Sequence, residues 1–201
     1  MTGLLVLALV QTVAPAGPIV LDDFDHPEAW SAHPADGVGL TLAADRGRTG
    51  AALRLDFSFS GGGYAIARRA TAIDLPANYA FSFWIRGEAK PNTLEFKLID
   101  RSGDNVWWYT EPDRVFDGAW HRIVVRKRQI RFAWGPAGGG DLAHVAAIEL
   151  VITAGQGGGS GRVWFDDLTL TPMSETGPYN LTPRVTASSS VPGHPAAALL
   201  D

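Results

Sequence analysis

An all-β sandwich is the fold class that the sequence predicts, and three observations predict it. Apolar residues recur at every second position in several short stretches, which is the period of a strand with one buried face. Turns rich in glycine and proline separate these stretches. The 23 glycines and 13 prolines disfavour helices, and no long stretch has a helical period. Many short strands favour two packed sheets, and the jelly roll is the version that we expect.

The stretch 94–109, LEFKLIDRSGDNVWWY, is the clearest strand pair. Its first arm alternates apolar residues with Glu95 and Lys97, and a polar turn follows at 101–105. The second arm carries three adjacent aromatic residues: Trp107, Trp108 and Tyr109. Neighbouring residues of a strand point to opposite faces, so the three rings cannot all be buried on one side. We therefore expect at least one ring on an open face.

The same period of two predicts the remaining strands. They cover 19–24, 53–59, 81–86, 123–125, 130–134 and 148–153. The only helical candidates are short stretches at 141–147 and at the C-terminal end. Large rings are mostly buried in sandwiches, so three further tryptophans are expected in the core: Trp120, Trp134 and Trp164.

In the last strand, 162–170, the positions expected to face inward change from odd to even numbers part-way along. Odd positions are apolar up to Phe165, and even positions are apolar from Leu168 onward. Such a change predicts a β-bulge at Asp166 and Asp167.

Oxygen ligands for a calcium ion could gather beside this bulge. Asp23, in the first strand, is a possible neighbour of Asp166 and Asp167, and the loop 45–50 could add backbone carbonyls such as that of Gly47. A calcium ion takes about six to eight oxygen ligands. The alternative is that these aspartates are solvated acids at strand ends.

Four motifs, taken in order, resemble those of family-11-type carbohydrate-binding modules and their galactose-binding-like relatives. They are LDDF at 21–24, GAALRL at 50–55, AWHRI at 119–123 and VWFDDL at 163–168. The resemblance covers 18–172, and the order and spacing of the motifs carry it. It implies a jelly-roll sandwich that binds glycans on a concave face or a loop rim without catalysis. It also implies a structural calcium between the first and last strands, as many of those relatives have.

The two ends of the chain predict export and a multidomain protein. Residues 1–16 have an apolar run followed by Ala-Pro-Ala, which predicts a signal peptide and a secreted or periplasmic location; a buried first strand is the alternative. The apolar run is too short to span a membrane. Residues 173–179 are predicted to be a linker, and 180–201 resemble the start of a discoidin (factor 5/8 type C) domain. This order is similar to the front of a secreted glycoside hydrolase, which implies a downstream catalytic domain in the same chain.

Composition and motifs argue against other functions. A net charge of −4 gives no basic surface for nucleic acid. The sequence has no cysteine, no nucleophile elbow, no HExxH motif and no phosphate loop, and its five histidines have no ligand spacing. Glu95 and Asp100 could be considered as a glycosidase pair, but acids are frequent on outward strand faces. We therefore expect this fragment to be non-catalytic.

Candidate sugar-binding residues lie on the outward sides of strands whose other side is apolar. Aromatic rings offer stacking surface, and charged groups offer hydrogen bonds to hydroxyls. The candidates are Trp84, Arg86, Glu95, Lys97, Trp107, Trp108 and Tyr109.

A basic run could add a site for an acidic polysaccharide. Its members are Arg122, Arg126, Lys127, Arg128 and Arg131. On a strand-turn-strand they divide between faces, so a solvated basic turn is the alternative.

The sequence thus predicts a secreted, non-catalytic module that binds polysaccharide or oligosaccharide by stacking and hydrogen bonds. The alternative is a structural spacer that packs on a missing glycoside hydrolase domain and binds no glycan. A catalytic lyase or hydrolase would need two acids in a deep cleft.

Overall fold

The structure is a computed structural model that describes residues 17–174. These residues form two antiparallel sheets with six strands each, which confirms the predicted all-β sandwich. The predicted signal at 1–16, most of the predicted linker and the discoidin-like stretch at 180–201 lie outside the described residues. Within 17–174, no helix is long and apolar enough to cross a membrane.

The first sheet is built around the long last strand. Numbered along the chain, its strands are β1 (Ile19–Asp22), β3 (Val38–Arg46), β4 (Ala51–Phe59), β6 (Tyr79–Glu88), β9 (His121–Arg126) and β12 (Gly159–Pro172). The order across the sheet is β3-β4-β12-β6-β9, and β1 pairs with the C-terminal part of β12. The bulge predicted at Asp166 and Asp167 is confirmed, because the register between β12 and β6 shifts between Asp166 and Thr169.

The second sheet contains the predicted hairpin. Its strands are β2 (Ser31–Ala32), β5 (Tyr64–Asp74), β7 (Asn92–Ile99), β8 (Val106–Arg114), β10 (Arg131–Trp134) and β11 (His144–Thr153). The order is β10-β8-β7-β11-β5-β2. β7 and β8 pair with Leu98 opposite Trp107, as the hairpin pattern predicts. Two single-turn 3-10 helices, Pro27–Ala29 and Lys127–Gln129, lie between strands.

Phenylalanine rings from both sheets form the centre of the core. Phe81 and Phe83 of β6 lie 5.1 and 5.6 Å from Phe96 of β7, measured between ring centroids. Phe83 also lies 5.9 Å from Phe165 of β12. All four rings are fully buried. Tilted aromatic contacts at these distances add to the stability gained from burial.

The helix predicted at 141–147 is wrong. Residues from His144 onward belong to β11, and Ala147 pairs with Ala70 of β5 on one side and with Ile99 of β7 on the other. Central position in the sheet outweighs the helix preference of the local sequence, because each backbone group gains a ladder partner. The strands β2, β3 and β5 were not predicted.

Replacing Phe96 with alanine tests the importance of the aromatic core. The change leaves a cavity between Phe81 and Phe83, and we expect the free energy of unfolding to fall by about 3–5 kcal/mol. Urea unfolding followed by circular dichroism measures this. The control Phe96→Leu keeps most of the apolar volume and should cost clearly less. Equal and small losses for both variants would contradict this packing.

Candidate functional site

The outer face of the second sheet carries a buried ion pair. Phe96 of β7 points into the core, so its neighbours Glu95 and Lys97 point to the opposite face. The Lys97 Nζ lies 2.9 Å from the Glu95 Oε2. Although both residues lie on an outer face, Glu95 is only 7% exposed and Lys97 only 6%. Charged groups are buried at this level only when they are paired, so each requires the other.

Three aromatic rings cover Lys97. The Nζ lies 5.2 Å from the ring centroid of Trp134, 5.8 Å from that of Tyr64 and 5.9 Å from that of Trp108. These distances are within the range of cation–π attraction. Trp108 and Trp134 meet edge to face at 5.5 Å, which fixes their orientation. We call Tyr64, Trp108 and Trp134 around Lys97 the aromatic face.

Two of these rings offer surface to solvent. Tyr64 is 43% exposed and Trp134 is 47% exposed. Large rings are usually more buried than this, and exposed apolar surface next to polar groups is the kind of surface that binds a partner or a ligand. The aromatic face therefore combines open ring surface with a charged pair beneath it.

Strand pairing brings distant residues into one row. Across β10, β8, β7, β11 and β5, directly opposite residues on the outer face are Arg131, Trp108, Lys97, Glu149 and Arg68. Opposite residues on neighbouring strands have Cβ atoms about 4.5–5.5 Å apart, so their side chains interact. The row therefore continues the aromatic face with charged groups on both sides.

Glu149 is the carboxylate of this row, and it is buried as Glu95 is. Its Oε1 lies 3.6 Å from the Arg68 Nη1. Burial raises the pKa of Glu149, and the charges of Lys97, Arg68 and His33 oppose that rise, while Glu95 adds to it. The face thus places each buried carboxylate beside a cation.

The three adjacent aromatics of β8 divide between the two faces. Trp107 lies inward, with its ring edge-to-face against Phe132 at 5.2 Å and its Nε1 donating to the Gly140 carbonyl at 2.9 Å. Tyr109 packs against the core, and its hydroxyl donates to Glu111. Trp108 alone of the three lies on the aromatic face.

Trp84 and Arg86 lie on the opposite side of the sandwich. Both are on the outer face of the first sheet, where the Arg48 guanidinium lies 4.0 Å above the Trp84 ring. The Arg86 guanidinium lies 4.2 Å above the ring of Trp164, which is buried beneath it. These stacks cover the ring faces with guanidinium groups. The structure therefore does not bring Trp84 and Arg86 together with Glu95 and Lys97.

Two aromatic-face residues were missed by sequence reasoning. The prediction that Trp134 is in the core is wrong, because the β10–β8 register shifts between Phe132 and Trp134 and the following ring turns outward. Tyr64 begins β5 directly after the turn 61–63, and no apolar alternation marks that strand. The glycine run before Tyr64 was the one available signal for a strand start.

The residues predicted to bind calcium are only partly brought together. Asp166 is fully buried, and its carboxylate accepts hydrogen bonds from the backbone N–H groups of Arg48, Thr49 and Asp167. Burial raises the pKa of Asp166, and these hydrogen bonds from Arg48 and Thr49 oppose the rise. Asp167, at a positive φ of 52°, accepts from the Arg48 guanidinium at 2.9 Å and from the Thr49 hydroxyl.

The other two predicted ligands are arranged differently. Asp23 is exposed and accepts from the backbone N–H of Asp25, while the N–H of Gly47 donates to the Gly50 carbonyl. Within 17–174, no three or more histidine or acidic side chains are grouped to hold a metal ion. A calcium ion needs oxygen ligands, whereas Asp166 is surrounded by N–H donors. Calcium therefore stays a prediction from the sequence, and the described contacts of Asp166 are with N–H groups.

Solved structures share this fold. No family model matches the sequence, and no curated protein matches it. The family 11 carbohydrate-binding module of the cellulosomal cellulase Lic26A-Cel5E of Clostridium thermocellum superposes with a TM-score of 0.64 at 20% identity, over 80% of this chain and 97% of that one. The chain has the fold of a carbohydrate-binding module. This match agrees with the predicted jelly roll.

Two further structures are similar. A family 11 module from Clostridium thermocellum, in complex with a β-1,3-1,4-mixed-linked tetrasaccharide, has a TM-score of 0.63 at 21% identity, over 78% of this chain and 96% of that one. The family 30 module of the cellulosomal cellulase Cel9D-Cel44B of the same organism has a TM-score of 0.55 at 17% identity, over 80% and 99%. Both neighbours are named as carbohydrate-binding modules, and at these identities the likeness concerns the fold.

Replacing Asp166 with alanine, with and without a chelator, tests how the bulge is stabilised. Three backbone N–H groups lose their acceptor, so we expect a loss of about 3 kcal/mol in the free energy of unfolding. The control Asp23→Ala removes an exposed carboxylate and should change stability by about 0.5 kcal/mol or less.

Thermal unfolding in calcium and in chelator completes this test. With N–H groups and Arg48 as the partners of Asp166 and Asp167, the chelator should leave the Tm of the unaltered protein unchanged. A Tm lowered by several degrees in chelator would contradict this arrangement and support a bound calcium ion.

Proposed function

We propose that this protein binds polysaccharide or oligosaccharide without catalysis, and that the aromatic face is the binding surface. The observation that carries the proposal is the pair of exposed rings, Tyr64 and Trp134, beside a buried Glu95–Lys97 ion pair. Flat apolar surface next to fixed hydrogen-bonding groups is what a sugar ring requires, because its faces are apolar and its edge carries hydroxyls.

The site is pre-organised before any ligand arrives. Strand pairing holds Trp108 opposite Lys97, and the edge-to-face contact holds Trp134 against Trp108. Side chains that are already ordered lose little conformational entropy on binding. A sugar ring that stacks on Tyr64 or Trp134 would lie next to Lys97, whose ion-pair partner is Glu95.

The fold supports this proposal. One similar structure, a family 11 module, is a complex with a β-1,3-1,4-mixed-linked tetrasaccharide. That ligand belongs to that protein, and at 21% identity the likeness concerns the fold. It supports a glycan as the ligand class here without defining which sugar this chain prefers.

The proposed biological role is to hold a partner enzyme near its substrate. The signal-like 1–16 and the discoidin-like 180–201 support a secreted or periplasmic protein with a downstream catalytic domain in the same chain. Weak binding by a tethered module raises the effective concentration of the enzyme at the polysaccharide. The rival role is a structural spacer that packs on that domain and binds no glycan.

Affinity electrophoresis of the chain tests this function. The gels contain soluble β-glucans, mannans, galactans or uronic-acid polymers. We expect retardation by at least one polymer, and Trp108→Ala or Tyr64→Ala should raise the Kd for it about threefold to tenfold, from a stacking contribution of about 0.5–1.5 kcal/mol.

Trp84→Ala is the matched control, because it removes a tryptophan from the opposite face of the sandwich. It should leave retardation unchanged, with folding checked by circular dichroism. Loss of retardation with Trp84→Ala alone would move the site to the first sheet. A folded chain that no polymer retards would overturn the proposal and favour the spacer.

A further inference from the structure

A shallow depression adjoins the aromatic face at the sheet edge. It has a volume of about 420 Å³ and is open to solvent. Its lining consists of Trp108, Tyr109, Thr110, Arg128, Gln129 and Arg131. Because Trp108 belongs to both surfaces, a ligand chain that stacks on the aromatic face can continue into the depression.

Two arginines of this depression have no partner among the described residues. The side chains of Arg128 and Arg131 are exposed and form no hydrogen bond or ion pair with any residue in 17–174. Arg131 lies directly opposite Trp108 on the neighbouring strand. The depression therefore presents two guanidinium groups next to an indole ring.

The acids around this surface are already neutralised by other cations. Glu95 pairs with Lys97, and Glu149 pairs with Arg68. Glu111 lies 2.7 Å from the Arg114 Nη1 and also accepts from the Tyr109 hydroxyl, and Asp141 lies 2.7 Å from the Lys127 Nζ. The charges of Arg128 and Arg131 therefore make this edge locally positive on a chain whose net charge is −4.

The turn that carries Arg128 is held in place. Arg128 lies in the 3-10 helix Lys127–Gln129, and the Lys127 Nζ donates to the Asp141 carboxylate at 2.7 Å and to the Ala77 carbonyl at 2.9 Å. The Gln129 side chain accepts from the Arg126 backbone N–H. The position of the guanidinium is therefore restricted at its base.

We propose that this depression recognises a negatively charged sugar unit of a polysaccharide whose neighbouring unit stacks on the aromatic face. The inference rests on the proposed carbohydrate binding and names its substrate class. The planar guanidinium presents paired N–H donors that match a uronate carboxylate or a sulfate ester. Arg128 and Arg131 bind the carboxylate or sulfate of the charged unit, and Trp108 provides a surface on which a sugar ring stacks.

Binding to matched polymers tests the inference. Polygalacturonate and alginate are each compared with their carboxyl-reduced forms, and dextran sulfate with dextran, using the whole chain in affinity electrophoresis. We expect at least one charged form to bind about tenfold more tightly than its neutral partner, since each exposed charge pair contributes up to about fivefold. Preference for carboxylate or for sulfate polymers assigns the source of the charge.

Salt and substitutions locate the effect. The preference should shrink at about 1 M salt, where the screening length falls to about 3 Å. The double variant Arg128→Gln/Arg131→Gln should lose the preference and keep its affinity for the neutral forms. The control Arg46→Gln/Lys90→Gln also removes two positive charges, but at positions outside the depression, and should keep the preference.

Two outcomes overturn the inference. The first is equal retardation by the charged and neutral forms of every polymer, and the second is a preference that survives in Arg128→Gln/Arg131→Gln. In both cases retardation by a neutral polymer leaves the proposed function intact. If a folded chain is retarded by no polymer of either kind, the proposed function and the inference both fail.

Discussion

The four phenylalanine rings between the sheets determine which side of each strand faces outward. On β7, Phe96 lies against Phe81 and Phe83, and this contact determines which residues of the strand face the core and which face outward. Glu95 and Lys97 therefore point to the outer face. A slip of one residue would drive both charges into the apolar core, where neither would have water or a sufficient partner. The aromatic face is thus a consequence of how the core packs.

The buried Glu95–Lys97 pair explains why the rings above it are ordered. A charged pair at this depth gives little net stability, because desolvation offsets the attraction between the charges. Its effect here is to hold Lys97 at the centre of three rings. The outer face of the first sheet also carries tryptophan and a cation, but there the Arg48 guanidinium lies over the Trp84 ring and covers it. One outer face is open to a flat ligand, and the other is closed by arginines.

Local pattern was sufficient to predict much of the fold. The alternation at 94–98 with the polar turn after it predicted the hairpin, and the change from odd to even apolar positions before Leu168 predicted the bulge, because each is encoded in one contiguous stretch of sequence. The strand β5 carries alanines and arginines in place of alternating large apolar residues, so its existence and Tyr64 were missed. The register shift before Trp134 depends on pairing with β8 and cannot be read from β10 alone.

The candidate site depends on pairing between distant strands. The row from Arg131 to Arg68 requires the order β10-β8-β7-β11-β5, and no local pattern encodes that order. For the same reason, sequence reasoning grouped Trp84 with Lys97, although the two lie on opposite faces. The indole resonances can distinguish these positions directly. Trp108 and Trp134 are on the aromatic face, while the Nε1 groups of the buried Trp107 and Trp164 donate to Gly140 and Asp45.

A titration of the ¹⁵N-labelled chain with an oligosaccharide of whichever polymer retards it shows which tryptophans contact the ligand. We expect the indole N–H signals of Trp108 and Trp134 to shift on binding, and those of Trp84 and Trp164 to stay unchanged. Shifts at Trp84 with none at Trp108 or Trp134 would contradict the assignment of the aromatic face as the binding surface.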